Sequence, residues 1–144
     1  MKELHQIDRE STSKLKAIVK EIGWPTISKV GKTGSYNAWI IVQHTTDLDF
    51  AKKCLVEMKM NIDDIDKKNI AYLTDKILVS EKKKQVFGTI VETKIIREEM
   101  VTKPMPVKNI KEVEKQRKLM GLETLTSQLK NNERIFRKYF QGRR

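Results

Sequence analysis

The segment from Lys84 to Val101, "KQVFGTIVETKIIREEMV", is the one stretch of this chain that leaves helical periodicity. It is rich in β-branched residues and partly alternating, which is the pattern of strands. The spacing predicts a β-hairpin with strands near 84–91 and 94–101 and a break at "VET". "KPMPV" stops it, because Pro104 and Pro106 have no N–H to give to a ladder. With a single hairpin, the rest of the chain falls to helices. The expected fold is mainly α (α+β): one domain over residues 1–144, with about five or six helices and one inserted hairpin. A chain of 144 residues buries a real core without disulfides or metals.

Residues 3–22 carry Leu4, Ile7, Leu15, Ile18, Val19 and Ile22 at helical spacing, and Gly23 follows as a C-terminal cap. Pro25 forces Trp24 out of helical geometry. "KVGKTG" reads as a loop. It contains "GKT", but a phosphate-cradling loop needs a glycine five residues before Gly31, and Thr26 stands there. A second helix is expected from Ser35 to Thr45. A third starts near Asp47, with Thr46 as its cap and Asp49 three residues on. Phe50, Ala51, Cys54, Leu55 and Met58 form its apolar face. A fourth runs from Lys67 to about Lys82, after "NIDDID". Those carboxylates suit a helix N-terminus, and the glycine and closing Glu of a calcium loop are missing. A fifth helix covers 108–119 and ends at Gly121. A last one covers 123–140, with Leu125, Leu129, Asn132, Phe136 and Tyr139 or Phe140 on one stripe. The tail "QGRR" reads as frayed.

The formal charge is +11 and uneven. Residues 1–80 hold 13 Lys/Arg against 11 Asp/Glu, and residues 81–144 hold 17 against 8. A basic half suits an acidic partner, nucleic acid or protein. Its candidate contacts are Lys82, Lys83, Lys84, Arg134, Arg137 and Lys138, with Arg143 and Arg144 in the tail. The competing reading is a solvated lysine-rich surface, since the bases are not interleaved with stacking aromatics. Cys54 is alone, so no internal disulfide forms, and a single thiol suits a reducing compartment. No apolar run approaches the ~20 residues that span a bilayer, and the N-terminus is polar. The expectation is a cytoplasmic protein without a membrane partner.

Two helices carry polar residues where apolar ones are expected. On the second, Tyr36, Ala38, Trp39, Ile40, Ile41 and Val42 point in every direction, the mark of a buried helix. Asn37, Gln43 and His44 interrupt it, and each needs a partner or costs about 1–3 kcal/mol. On the fourth, Thr74 and Asp75 lie within the arc of Ile70, Ala71, Tyr72, Leu73, Ile77, Leu78 and Val79. A carboxylate there needs a cation or several donors. The candidates are His44, Lys76, Arg97, Arg117 and backbone amides of a neighbouring loop; a His44–Asp75 pair is the simplest. "H-x-x-D-x-D" from His44 to Asp49 does not make a metal site, because Asp47 and Asp49 have a capping role and no second histidine is near. No metal or cofactor is expected.

Five segments in order, "GWPTISKVG", "AWIIVQH", "AYLTDKILV", "QVFGT" and "EKQRKLMGLETL", resemble a bacterial family of uncharacterised proteins, domain of unknown function 6624. Its members read G-W-P-x-x-S-x-V-G, A-x-x-x-x-Q-H, A-Y-L-x-D-R, Q-x-Y-G-T-Q and R-R-x-x-x-G-L. The match covers about residues 8–129 and leaves out the basic C-terminal helix and tail, 130–144. Lys76 stands where the family usually has Arg, Phe87 replaces Tyr, Ile90 replaces the second Gln, and Gln116 replaces the first Arg of the pair. The resemblance implies no known reaction. It does join Trp24, Ser28, Gln85, Thr89 and Arg117 to Gln43, His44 and Asp75.

Two functions are open on this reading. One is a polar pocket that binds a small or anionic ligand, with turnover of that ligand left open. His44 would be its general base, Asp75 would orient it, and Trp24, Ser28, Gln43, Gln85, Thr89 and Arg117 would hold the ligand. The other is a binding module for an acidic partner through the basic half, a toxin-neutralising role included. A third reading stands beside both: a satisfied polar network in the core.

Overall fold

The computed structural model describes residues 2–141, with side chains from 5 to 140. The tail residues Gly142, Arg143 and Arg144, and with them the frayed tail and two of the tail charges, lie outside the described residues. Six helices and one hairpin follow in the order α1 (Lys2–Ile22), α2 (Ile27–His44), α3 (Leu48–Met60), α4 (Lys68–Ser80), β1 (Val91–Ile96), β2 (Glu99–Pro104), α5 (Val113–Leu119) and α6 (Leu125–Gln141). A 3-10 turn, Ile62–Asp64, links α3 to α4. The α+β class expected from the sequence is the class observed.

The core lies among the first four helices. Leu15 and Val19 of α1, Ala38 and Val42 of α2, Phe50, Ala51, Cys54 and Met58 of α3, and Ile70, Leu73 and Ile77 of α4 meet around Trp24 and Ile65. Trp24 is buried because Pro25 turns the chain between α1 and α2 so that the indole drops into this core. Gly23, at φ 72, closes α1 as the expected left-handed cap.

Several expected boundaries move. The loop expected over "KVGKTG" is helix: α2 begins at Ile27 and absorbs it, and only Gly31 leaves helical geometry, at φ 78 and ψ 169. One glycine kinks the helix without ending it. The cap of α3 is Asp47 and not Thr46; its carboxylate accepts from the Phe50 N–H at 2.9 Å. The α2 helix is also less buried than its wheel predicts. Ser35, Ala38 and Val42 face the core, while Tyr36, Asn37 and His44 are exposed.

The hairpin is displaced along the sequence. Its strands pair Val91 with Pro104 through to Ile96 with Glu99, and "VET" lies within β1 instead of at the turn. Arg97 and Glu98 make the turn at φ 51 and 67, the left-handed pair of a type I′ connection. That turn usually uses Asn and Gly, so the sequence carries no sign of it. Residues 85–90, expected as strand, form an irregular loop whose backbone groups bond elsewhere. The helix expected at 108–119 is shorter, with turns up to Glu112 before α5 begins.

Candidate functional site

Asp75, fully buried on α4, has found backbone amides as its partners. Its Oδ1 accepts from the N–H groups of Val86 (2.9 Å) and Phe87 (3.1 Å). Its Oδ2 accepts from the N–H and the hydroxyl of Thr89, both at 2.9 Å. Gly88, at φ 64, bends the backbone so that amides on both sides of it point at one carboxylate. Such a run of converging N–H groups is an anion nest, and here the anion belongs to the protein.

The same loop is gripped from its other side. Arg117 of α5, also fully buried, donates Nη1 to the Phe87 carbonyl (2.9 Å), Nε to the Glu123 carbonyl (2.8 Å) and Nη2 to Gln128 Oε1 (2.7 Å). Gln128 Nε2 donates to the Thr89 carbonyl at 2.8 Å. Phe87 therefore gives its N–H to a carboxylate and its C=O to a guanidinium, two charge-assisted bonds on one residue. Burial pulls the Arg117 pKa down, opposed by the nearby Glu114, Tyr72, Glu123 and Asp75. Gln85 closes the loop on itself. It accepts from Ile90 N–H (2.8 Å) and donates to the carbonyls of Ile90 (3.0 Å) and Met105 (2.9 Å).

Asp75, Gln85, Thr89 and Arg117, which the sequence reading set around a ligand, are brought together in a satisfied hydrogen-bond network. The His44–Asp75 pair is not formed. Both Asp75 oxygens are engaged by the loop, and His44 stands exposed at the C-terminus of α2. Of the remaining expected residues, Trp24 is in the core. Ser28 is exposed and donates its N–H (3.0 Å) and its hydroxyl to Asp64, which holds that carboxyl below its usual range. Gln43 makes a long contact, 3.5 Å, to the Tyr72 carbonyl. Its Oε1 and the Nε1 of Trp39 are buried without hydrogen-bond partners among the described residues. Lys76, half-buried, donates to the carbonyls of Val42 (3.4 Å) and Thr45 (2.6 Å) and so caps α2. Burial pushes its pKa down. Gln128 escaped the sequence reading, although it lies on the apolar stripe of α6, three residues after Leu125, where a polar residue signals a partner.

The bases expected to meet an acidic partner divide into two groups. Lys82, Lys83 and Lys84 are exposed beyond α4, with Lys83 paired to Glu81 at 2.8 Å. Arg134, Arg137 and Lys138 are exposed on α6. Beside them runs a groove of about 440 Å³ between α6 and the hairpin, lined by Val91, Thr93, Ile135, Phe136, Tyr139 and Phe140. Ile135, Tyr139 and Phe140 are 50, 72 and 53% exposed.

Among the described residues, no three His, Cys, Asp or Glu side chains gather where they could hold a metal ion. Nor is any helix there long and apolar enough to cross a membrane. No curated protein and no solved structure matches the chain. A family model does, from residue 1 to residue 138, and it extends through most of α6. The chain therefore belongs to this family, described as a family of unknown function, DUF6624.

Proposed function

We propose that the protein is a binding module for an acidic, amphipathic protein segment, which it takes in the groove between α6 and the hairpin. The observation that carries this is the apolar stripe of α6. Its first part, Leu125, Gln128 and Leu129, is covered, but the stripe continues through Ile135, Tyr139 and Phe140 with solvent over it. On a helix, residues three apart are neighbours. Lys138 therefore borders Ile135, and Arg137 borders Phe140. Exposed aromatics within a ring of bases are the composition of binding hot spots. A second copy of the chain is a poor occupant, because both basic rims would be brought together at a formal charge of +11 per chain. In this reading Asp75, Gln85, Thr89 and Arg117 serve the fold, and His44 has no catalytic role.

The test uses two labelled probes: a helical peptide of Glu with Leu at helical spacing, and a single-stranded RNA. Fluorescence anisotropy should show the peptide binding, more weakly as salt rises. Tyr139→Asp with Phe140→Asp should weaken it about tenfold or more. Arg134→Gln, Arg137→Gln and Lys138→Gln together should weaken it and flatten its salt dependence. If the peptide does not bind, the proposal fails. If RNA binds instead and the groove variant leaves that binding intact, the partner is nucleic acid and the groove is not its site.

A further inference from the structure

The hairpin is a two-stranded sheet, so each of its strands has one edge without a partner strand. The register decides which groups lie on those edges. The two-residue turn makes Ile96 and Glu99 a hydrogen-bonded pair, and bonded pairs recur at every second residue, Lys94 with Val101 and Glu92 with Lys103. The Met105 N–H, which donates to the Ile90 carbonyl at 2.9 Å, keeps the same alternation. Ile95, Thr93 and Val91 therefore stand in the non-bonded pairs. The hydroxyls of Thr93 and Thr102 meet at 2.9 Å, as close as the side chains of such a pair come. The N–H and C=O groups of Val91, Thr93 and Ile95 point away from β2, and no backbone hydrogen bond from the described residues reaches them.

The two edges differ. On β2 the outward set is Met100, Thr102 and Pro104, and Pro104 has no N–H to offer. Proline is one of the ways in which edges are closed to further strands. β1 holds no proline, and its edge borders the groove beside α6, which Val91 and Thr93 line. Side chains of a strand alternate between faces. In a strand laid along β1, one set would enter the groove over Phe136, Tyr139 and Phe140. The other set would lie on the opposite face, beside Glu92, whose carboxylate is shared by Lys94 at 2.8 Å and Lys103 at 3.8 Å. That cluster carries one positive charge in excess, which suits an acidic side chain.

We propose that the partner segment enters as an extended strand added to the free edge of β1. This rests on the groove reading above and specifies the partner further: apolar and acidic residues alternate along it, opposite Val91–Ile95. A helical segment reaches the groove with its side chains alone. An extended one adds main-chain bonds to Val91, Thr93 and Ile95.

The test compares labelled peptides by fluorescence anisotropy. One is the Glu and Leu peptide at helical spacing, and one has the same composition with Glu and Leu strictly alternating. The alternating peptide is also made with backbone N-methyl groups on every second residue, in both phases. The unmethylated alternating peptide should bind about tenfold or more tightly than the helical one. Methylation should weaken it by a similar factor in the phase that faces β1, and by less than about twofold in the other. Hydrogen exchange at the amides of Val91, Thr93 and Ile95 should slow when the alternating peptide is added. Ile95→Pro, which removes an outward N–H and no ladder bond, should erase most of the difference between the two peptides. Should that variant misfold, the methylated peptides test the same bonds on the unaltered protein. A helical peptide that binds as tightly as the alternating one, or methylation without effect in either phase, overturns strand addition and leaves the groove standing. If no peptide binds, the groove reading has failed and strand addition fails with it.

Discussion

At the scale of single residues, Asp75 and His44 separate cleanly. Asp75→Ala would leave three buried amides and a hydroxyl without an acceptor, at about 1–3 kcal/mol for each group that finds no substitute. Urea unfolding should show a loss of about 4 kcal/mol or more, or no folded protein at all. His44→Ala, on an exposed side chain, should stay within about 0.5 kcal/mol. Equal losses in the two variants would mean that His44 does support the carboxylate. Cys54 gives a pH test. Burial pushes its thiol from 9.0 up to about 12. Above about pH 9 the unfolded chain then loses a proton that the folded chain keeps, so stability falls as pH rises through 9–12, by at most about 1.4 kcal/mol per unit. The difference in unfolding free energy between wild type and Cys54→Ala should shrink across that window. A constant difference would place the thiol in water. Asp75 was legible as an anomaly, because a carboxylate within an apolar arc must be held. Its partners were not, because backbone amides of an irregular loop have no residue type to announce them.

At the scale of elements, two backbone positions carry the shape. Arg97 and Glu98 both occupy the left-handed region at the hairpin turn, where a side chain costs roughly 1–2 kcal/mol. Arg97→Asn with Glu98→Gly should therefore raise the melting temperature and leave the register intact. A lower melting temperature would mean that the two side chains hold the turn themselves. Gly31→Ala tests the kink of α2. A Cβ there meets nothing within 4 Å, so the whole effect comes from φ 78. A loss of about 1 kcal/mol is expected, measured by chemical denaturation. The helices were readable from their 3.6-residue stripes, and α1, α3, α4 and α6 lie close to where those stripes place them. The hairpin was readable as an element but not in register. Val86, Phe87 and Ile90 look like strand residues, yet the amides around them are drawn to Asp75 and Gln85 and not to a ladder. The kink was hidden because Gly31 and Gly34 together resemble a loop.

At the scale of the whole molecule, the buried polar network is a joint. Asp75 belongs to the helical core of α1–α4, while Arg117 and Gln128 belong to α5 and α6, and all three hold residues 87–89 between them. Through that loop the hairpin and α6, with the groove between them, are fixed to the core. Asp75, Thr89 and Arg117 converge on this loop, which Gln85 closes, while Trp24, Ser28, Gln43 and His44 lie apart from it. The central claim is that residues 85–90 form a clamp as stable as the core, although they lie outside any helix and outside the hairpin. Native-state hydrogen exchange measures this directly at the amides of Val86, Phe87, Thr89 and Ile90. They should exchange only through opening that approaches global unfolding in free energy, as the amides of Leu73 and Ile77 in α4 do. Exchange of these loop amides within minutes, while α4 stays protected, would contradict the clamp and reopen the Asp75 region as a mobile site.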